Sequence, residues 1–375
     1  VYDYSTIMES SGSAWTWGVS ENGAFGLNGS KGPANVKLSS PTQIGTDTNW
    51  IAIDGTVKFG AGIKNDGTLW AWGKNTYGIL GLNESAPTQR SSPCQVGTDT
   101  TWSNLSAAVD VYHIMATKTD GTLWAWGGNS FGQLGQNNET RCSSPTQVGT
   151  DTTWTDKISA GVWQSWGIKT DGTLWGWGFN EGPAPTYTVL GTSPGNVERS
   201  SPTQIGTKTD WVFVKAGGKC CAGIRDTDKG FVWGAGLNGR LGVNNQTDYS
   251  SPKQIPGSWK TISLSTAATN PASSGGVKTD GTLWRWGSNI GGALGQGGAI
   301  SPNANPTRRS SPVQVGTDTN WSGVHGSSTY GDVIATKTDG TLWSWGYNSY
   351  GMLGHNNKKP TMYSSPKQIP GTNWT

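Results

Sequence analysis

The sequence predicts an all-β chain: a seven-bladed β-propeller of four-stranded blades, one domain over residues 1–375, its ring closed by joining N- and C-terminal strands in one blade. Three observations predict it. Trp-Gly closes an aromatic strand seven times, at Trp17-Gly18, Trp72-Gly73, Trp126-Gly127, Trp177-Gly178, Trp233-Gly234, Trp286-Gly287 and Trp345-Gly346. From glycine to glycine the steps are 55, 54, 51, 56, 53 and 59 residues, a self-similar period that marks a solenoid, propeller or array. Ser-Ser-Pro follows in every unit, and nowhere does an amphipathic helical pattern appear.

The third unit shows each element in order. Trp102-Ser-Asn-Leu-Ser opens it as a first strand, and Ile114 to Thr119 and Thr122 to Trp126 are β-prone runs joined by Asp120-Gly121. Asp-Gly favours the positive φ of a tight hairpin. It recurs at Asp66-Gly67, Asp171-Gly172, Asp280-Gly281 and Asp339-Gly340, while Ser11-Gly12 and Lys229-Gly230 keep only the glycine. Asn129-Ser-Phe-Gly-Gln-Leu-Gly135 follows, then a polar loop, then Ser143-Ser144-Pro145. Proline suits an outer edge strand, where a missing donor costs nothing. A link, Gly149-Thr-Asp-Thr-Thr-Trp154, leads to the next unit. In Trp-Ala-Trp the two rings share one sheet face because strand side chains alternate.

The ends bear on closure. Val1 lies 11 residues before Gly12, too few for a leading strand, and Gly371-Thr-Asn-Trp374 matches the link. The two ends are therefore expected to share a blade, with about five residues wanting by the repeat alignment. The chain starts without Met, so a removed leader is compatible with it, although none is visible.

Composition fits this architecture. Only 33% of residues are hydrophobic, yet 22 are Trp and 57 Gly. The core is expected to be aromatic plates, each Trp burying about 200 Å², separated by close backbone contacts. The net charge of +3 and the absence of basic runs beyond Arg308-Arg309 and Lys358-Lys359 leave no footprint for nucleic acid. No stretch has the length of a membrane span. Cys94, Cys142 and the adjacent Cys220-Cys221 ignore the repeat, which reads as four free thiols rather than a disulfide framework.

The unit Lys-Thr-Asp-Gly-Thr-Leu-Trp-Ala-Trp-Gly-x-Asn-x-x-Gly-x-Leu-Gly, with its Ser-Ser-Pro-x-Gln-Val, resembles the regulator of chromosome condensation repeat over all seven units. The resemblance implies a seven-bladed propeller. It implies no single function, since the family includes a guanine-nucleotide exchange factor for a small GTPase, a plant UV-B photoreceptor, a bacterial β-lactamase inhibitor and bacterial and phage proteins. The exchange factor's basic tail and wedging insertion do not stand out here, and the photoreceptor's Gly-Trp-Arg-His-Thr string is absent. The near-verbatim repeats look most like the bacterial and phage members.

What recurs is architecture, so function is expected where copies differ. In a four-stranded blade the first turn and the third-to-fourth loop leave one face; the hairpins and links leave the other. The variable loops are Asn28 to Leu38, Pro183 to Arg199, Gly297 to Arg309 and Thr266 to Gly275. Loops on a rigid scaffold carry binding residues. Short turns are expected to bring Asp3, Tyr4, Lys58, Phe59, Tyr112, His113, Trp163, Gln164, Lys219 and Tyr330 to the mouth of that face. Channel filling is the competing reading for each. Arg90, Arg141, Arg199 and Arg309 stand beside Ser-Ser-Pro, either as a cationic set for an acidic partner or as ties to loop carbonyls.

Catalytic patterns are missing: the three histidines share no spacing, and no zinc-protease, phosphate-loop or nucleophile-elbow string occurs. The expectation is a non-enzyme without cofactor or metal. Its partner is a protein, or a surface glycan, met on the variable loop face, with no nucleic-acid partner and no membrane insertion. The reading favours a virion-surface or receptor-binding component of a phage, or an exported bacterial binding protein. The alternatives are a nucleotide-exchange regulator of a GTPase and a protein inhibitor of an enzyme.

Overall fold

Antiparallel pairing of short strands builds the molecule. The computed structural model describes residues 4–20, 22–28, 36–84, 88–107, 113–180, 189–191, 197–266, 272–297, 308–326, 331–357 and 360–375. Contacts divide the chain into two units, one of residues 2–180 with 197–209, the other of 181–196 with 210–375 and Val1.

The first unit holds four sheets. One has three strands, Tyr4–Met8, Ala14–Ser20 and Val36–Gln43. The next three have four strands each, in chain order. They begin at Trp50–Gly55, Trp102–Ala107 and Trp154–Ala160 and end at Gln89–Gln95, Cys142–Gln147 and Arg199–Gln204. The three-stranded first sheet matches the short N-terminal unit read from the sequence.

In the second unit, one sheet has seven strands in chain order, from Trp211–Ala216 to Arg309–Gln314. The other runs Trp321–Gly326, Val333–Lys337, Leu342–Asn348 and Thr361–Ile369. Seven strands arise because Tyr249–Ser263 is a single 15-residue strand. The link there is only Pro256-Gly257-Ser258, so the outer strand of one repeat continues as the first strand of the next. Its first part pairs with Lys229–Gly234 and its last part with Ser273–Lys278.

Local chemistry explains the repeated wording. Opposite Trp72 the fourth strand bulges: Ala71 faces Cys94 and Gly73 faces Arg90, so Ser91, Ser92 and Pro93 meet one residue. Proline sits where no ladder donor is required. Gly73 has φ +96°, and a Cβ there would lie 2.4 Å from the Lys58 carbonyl oxygen. All seven Trp-Gly glycines share this left-handed region, which a bulkier residue enters only with strain.

The rings before those glycines join successive repeats. Trp72, Trp126, Trp177, Trp286 and Trp345 are wholly buried. Each indole N–H donates to a carbonyl of the preceding repeat: Ala24, Ile79, Gln133, Arg240 and Ala293, at 2.8, 2.9, 2.9, 2.8 and 3.1 Å. Those carbonyls lie in the segments aligned with Asn-x-x-Gly-x-Leu, which read Ser20 to Phe25 in the first repeat and Gly236 to Leu241 in the fifth. There the Asn side chain accepts the Leu amide, as in Asn129 with Leu134 at 2.9 Å, and the Asn129 amide donates to the Asn138 and Thr140 carbonyls. Trp102 meets both Trp124 and Trp126 edge-on or tilted, at 5.8 and 6.2 Å, so the two rings of Trp-Ala-Trp do share a face. The small residue between them packs on the opposite face. In the sixth repeat that slot holds Arg285, accommodated because Gly275 stands opposite: a Cβ on Gly275 would come within 2.5 Å of the arginine Cδ.

All four cysteines are free thiols, and burial raises the pKa of Cys220 and Cys221. Among the described residues no helix is long and apolar enough to cross a membrane.

Candidate protein-interaction site

Strand order gives each four-stranded sheet two chemically distinct ends. One carries the hairpin between second and third strands and the link into the next repeat. The other carries the first turn and the long third-to-fourth loop.

At the hairpin end one arrangement recurs. Asp120 Oδ1 accepts from the Thr122 amide and hydroxyl at 2.9 and 2.7 Å, and Thr122 Oγ1 accepts the Trp124 indole N–H at 2.9 Å. The same chain joins Asp66, Thr68 and Trp70, Asp171, Thr173 and Trp175, Asp280, Thr282 and Trp284, and Asp339, Thr341 and Trp343. Hydrogen bonds from threonine lower the pKa of all five turn aspartates. The lysine preceding the turn lies on the tryptophan face: Lys64, Lys118 and Lys169 Nζ are each 3.9 Å from the ring centroids of Trp70, Trp124 and Trp175. Each also pairs with the link aspartate, Lys64 with Asp47 at 2.8 Å, Lys118 with Asp99 and Lys169 with Asp151 at 2.5 Å. These contacts absorb the motif's charged groups into turn and packing chemistry.

The loop end differs between repeats, and in the third and fourth it builds a platform. Phe131, Trp163 and Phe179 form a closed aromatic triad, with centroids 5.8 Å (Phe131 to Trp163), 5.1 Å (Phe131 to Phe179) and 5.2 Å (Trp163 to Phe179) apart. All three rings are half-buried. Phe131 comes from the Asn-x-x-Gly segment of the third repeat, Trp163 from the first turn of the fourth, and Phe179 directly follows Trp177-Gly178. The Phe179 amide donates to the Trp163 carbonyl at 2.9 Å.

Gln133 holds the platform from beneath. Its side-chain oxygen accepts the Phe131 amide at 2.9 Å, and its carbonyl accepts the Trp177 indole at 2.9 Å and the Ser165 hydroxyl at 2.7 Å. Ser165 Oγ lies 2.9 Å from His113 Nε2. A hydroxyl has one proton, and Ser165 gives it to Gln133, so His113 Nε2 must be the donor in that contact. Among the described residues His113 Nδ1 is then a bare acceptor without a partner, and the Gln164 amide oxygen and the donor amide nitrogens of Gln164 and Gln133 are likewise buried without one. Burial pulls the His113 pKa down to about 3, which keeps the ring neutral.

The remaining expected site residues fall in several environments. Tyr4 is half-buried, stacks on Phe25 at 5.8 Å and donates to the Ala24 carbonyl at 3.1 Å, and burial raises its phenol pKa. Phe59 is a core residue, and Lys58 and Lys219 are half-buried. Gln164 is buried beside Trp163 in sequence. Tyr4, Phe59, His113 and Gln164 occupy one register position, opposite the Trp-Gly glycine; Cys220 and Ser273 occupy it in the second unit. Arg90, Arg199 and Arg309 also share a register position, on the other side of that glycine, whereas Cys142 rather than Arg141 holds it in the third repeat. Arg90 pairs with Glu84 of its own loop, and Arg309 is exposed. Asp3, Tyr112, Tyr330 and most of the variable loops lie outside the described residues.

Phe131 and Phe179 were not among the residues singled out from sequence. The sequence signal was weak: the Phe131 position also holds Tyr77 and Tyr350, and the Phe179 position also holds Tyr347, so only their placement in units adjacent to Trp163 sets them apart. The second unit hides another charged group, Arg285, fully buried, with Nη2 donating to Ser273 Oγ at 2.7 Å. Burial lowers its pKa to about 9, against the opposing field of Asp332. Among the described residues no group of three or more His, Cys, Asp or Glu side chains is placed to hold a metal ion.

Comparison with known proteins bears on this geometry. The family model of the regulator of chromosome condensation (RCC1) repeat matches residues 66–114, 120–166 and 339–374. The ultraviolet-B receptor UVR8 of Arabidopsis thaliana is 28% identical over 248 residues, covering 65% of this chain and 54% of that protein. Human HERC2, an E3 ubiquitin-protein ligase, is 25% identical over 313 residues, 81% of this chain but 6% of that protein. The chain thus spans about half of the receptor and a small part of the ligase. Among solved structures, human WBSCR16 superposes with a TM-score of 0.77 at 19% identity, covering 96% of this chain and 95% of that one. Prp20p of Saccharomyces cerevisiae, described with its binding to Gsp1p and histones, gives 0.76 at 18%, covering 99% and 86%. These structures share the fold.

Proposed function

We propose that this chain, which carries regulator of chromosome condensation repeats, is a non-enzymatic protein-interaction module whose 375 residues close into one seven-bladed ring. Its partner is a protein, and it docks on the loop end of the third and fourth repeats.

The observation that carries this reading is the triad of Phe131, Trp163 and Phe179, three half-buried rings fixed over a hydrogen-bonded base. Aromatic side chains in such settings supply much of the binding energy of protein interfaces, and a platform ordered beforehand loses little entropy on docking. A receptor and a ligase among the relatives, and the Gsp1p and histone binding of the yeast neighbour, support a regulator that works through protein contacts. In the third and fourth repeats the hairpin end pairs its lysine and aspartate internally and offers a partner little beyond them. The expectation of a virion or exported setting finds no support among these relatives and forms no part of the proposal.

Affinity capture from the native source tests the reading. The wild-type chain should retain a partner that a Trp163→Ser, Phe179→Ser double variant of unchanged circular dichroism loses by on the order of a hundredfold in affinity. Equal retention by the folded variant would overturn it.

A further inference from the structure

Repeats two, three, four and seven each hold the motif lysine in a finished ion pair, Lys64 with Asp47, Lys118 with Asp99, Lys169 with Asp151 and Lys337 with Asp318. Repeat five does the same with Arg225 and Asp210. The four paired lysine side chains are only 8 to 12% exposed. The carboxylate caps the ammonium from the solvent side while the tryptophans cover the other.

The sixth repeat keeps the lysine and both rings but lacks the cap. Lys278 Nζ lies 3.6 Å from the Trp284 ring centroid and 5.6 Å from that of Trp259. Its link is shortened to Pro256-Gly257-Ser258 inside the continuous strand Tyr249–Ser263, so the position of Asp99 or Asp151 has no counterpart. Among the described residues no carboxylate comes within ion-pair distance of Lys278, and Asp280 acts on it only through space. Gly257 packs against the side-chain stem, where a Cβ would stand 2.8 Å from Lys278 Cε. The residue remains partly exposed.

We propose that Lys278 is a modification site, its ε-amine accepting an acyl group from an acyl phosphate. The neutral amine's lone pair attacks the carbonyl carbon and a C–N bond forms. The C–O bond to phosphate breaks, phosphate leaves with the bonding pair, and the amine proton passes to it or to water. The product amide carries no charge, so the cation–π contact with Trp284 is lost. Partial burial supports the chemistry by lowering the amine's pKa, which enlarges the neutral fraction near neutral pH.

Treating the full chain with limiting acetyl phosphate, from about pH 7 to about pH 9, with Nα-acetyl-lysine amide as internal reference, tests the proposal by site-resolved mass spectrometry. Lys278 should react on the order of tenfold faster than Lys64, Lys118, Lys169 and Lys337, with a rate profile displaced to lower pH than the reference. A rate matching those four, or a profile at or above the reference, would overturn it. Asp99→Asn supplies a second arm, in which Lys118 acetylation should rise toward the Lys278 rate. An unchanged Lys118 rate would contradict protection by pairing.

Discussion

The two ends of the third and fourth repeats use similar residues for opposite purposes. At the hairpin end Lys118, Trp124, Thr122, Asp120 and Asp99 complete one another, and Lys169, Trp175, Thr173, Asp171 and Asp151 repeat the pattern. At the loop end Phe131, Trp163 and Phe179 stay half-buried above a base in which, among the described residues, His113 Nδ1 and the Gln164 amide have no partner. The hairpin end pairs its charged groups within itself, although the buried Trp102 and Trp154 indole N–H groups have no partner among the described residues; the loop end gathers three half-buried rings into one cluster. A cluster of partly exposed aromatic rings that differs from repeat to repeat is where something other than stability is served. The contrast teaches that repetition and function separate along each sheet, over the length of one strand.

Both ends depend on the ring between them, so the largest effect is expected there. Trp177→Ala should cost about 3–5 kcal/mol in a denaturant titration, because it empties a fully buried site and leaves the Gln133 carbonyl without its indole donor. Since that carbonyl also anchors Ser165, the loss should disturb the loop end more than the hairpin end, seen as faster amide exchange in 161–165 than in 169–173.

Acid separates the two ends by pH window. His113 is neutral in the folded chain with a pKa near 3, below its usual 6.5. Between those values the unfolded chain binds the extra proton, so stability falls as the pH drops below about 6.5. Near pH 4.5 this amounts to about 2–3 kcal/mol, and His113→Gln, which copies the residue Gln164 holds at the same register, should remove it. Asp99 behaves otherwise. Lys118 lowers its pKa, so its contribution is present above the usual carboxylate value and is lost as the pH falls through the folded one, below about pH 4. Urea titrations across pH should show the first loss shrink by His113's share in His113→Gln, with the part due to His325 and His355, whose pKa values are lowered to about 4, remaining and the second loss persisting.

Removing the hairpin-end pair is expected to do less. Lys118→Met with Asp99→Asn should cost about 1 kcal/mol or less, because the aspartate is well exposed and solvent screens it, and partner capture should not change. A thermal melt and a capture assay on one preparation check both halves.

Much of the fold was legible because the repeated positions obey local rules. Asp-Gly marked the hairpins, Pro145 marked an edge strand, and Trp126-Gly127 marked a strand end needing positive φ. The merging of two repeats through Tyr249–Ser263 was not read, since its cause is a missing segment rather than a present motif. At the site, Trp163 and His113 were picked out as residues of the short first turns, yet the sequence did not reveal that His113 would be buried on Ser165. Phe131 and Phe179 were hidden for a related reason. They lie 48 residues apart and meet only when neighbouring repeats stack, a contact no period within one unit encodes. Arg285 escaped because its tolerance depends on Gly275 across the strand.

On the proposed function, the loop end of repeats three and four, rather than the hairpin end, meets the partner. Hydroxyl-radical footprinting of the captured complex tests it most directly, comparing Phe131, Trp163 and Phe179 with Trp124 and Trp175. Oxidation of the first three should fall on complex formation while that of the other two is unchanged. Protection of Trp124 and Trp175 with Phe131, Trp163 and Phe179 still oxidised at the free-chain rate would contradict it.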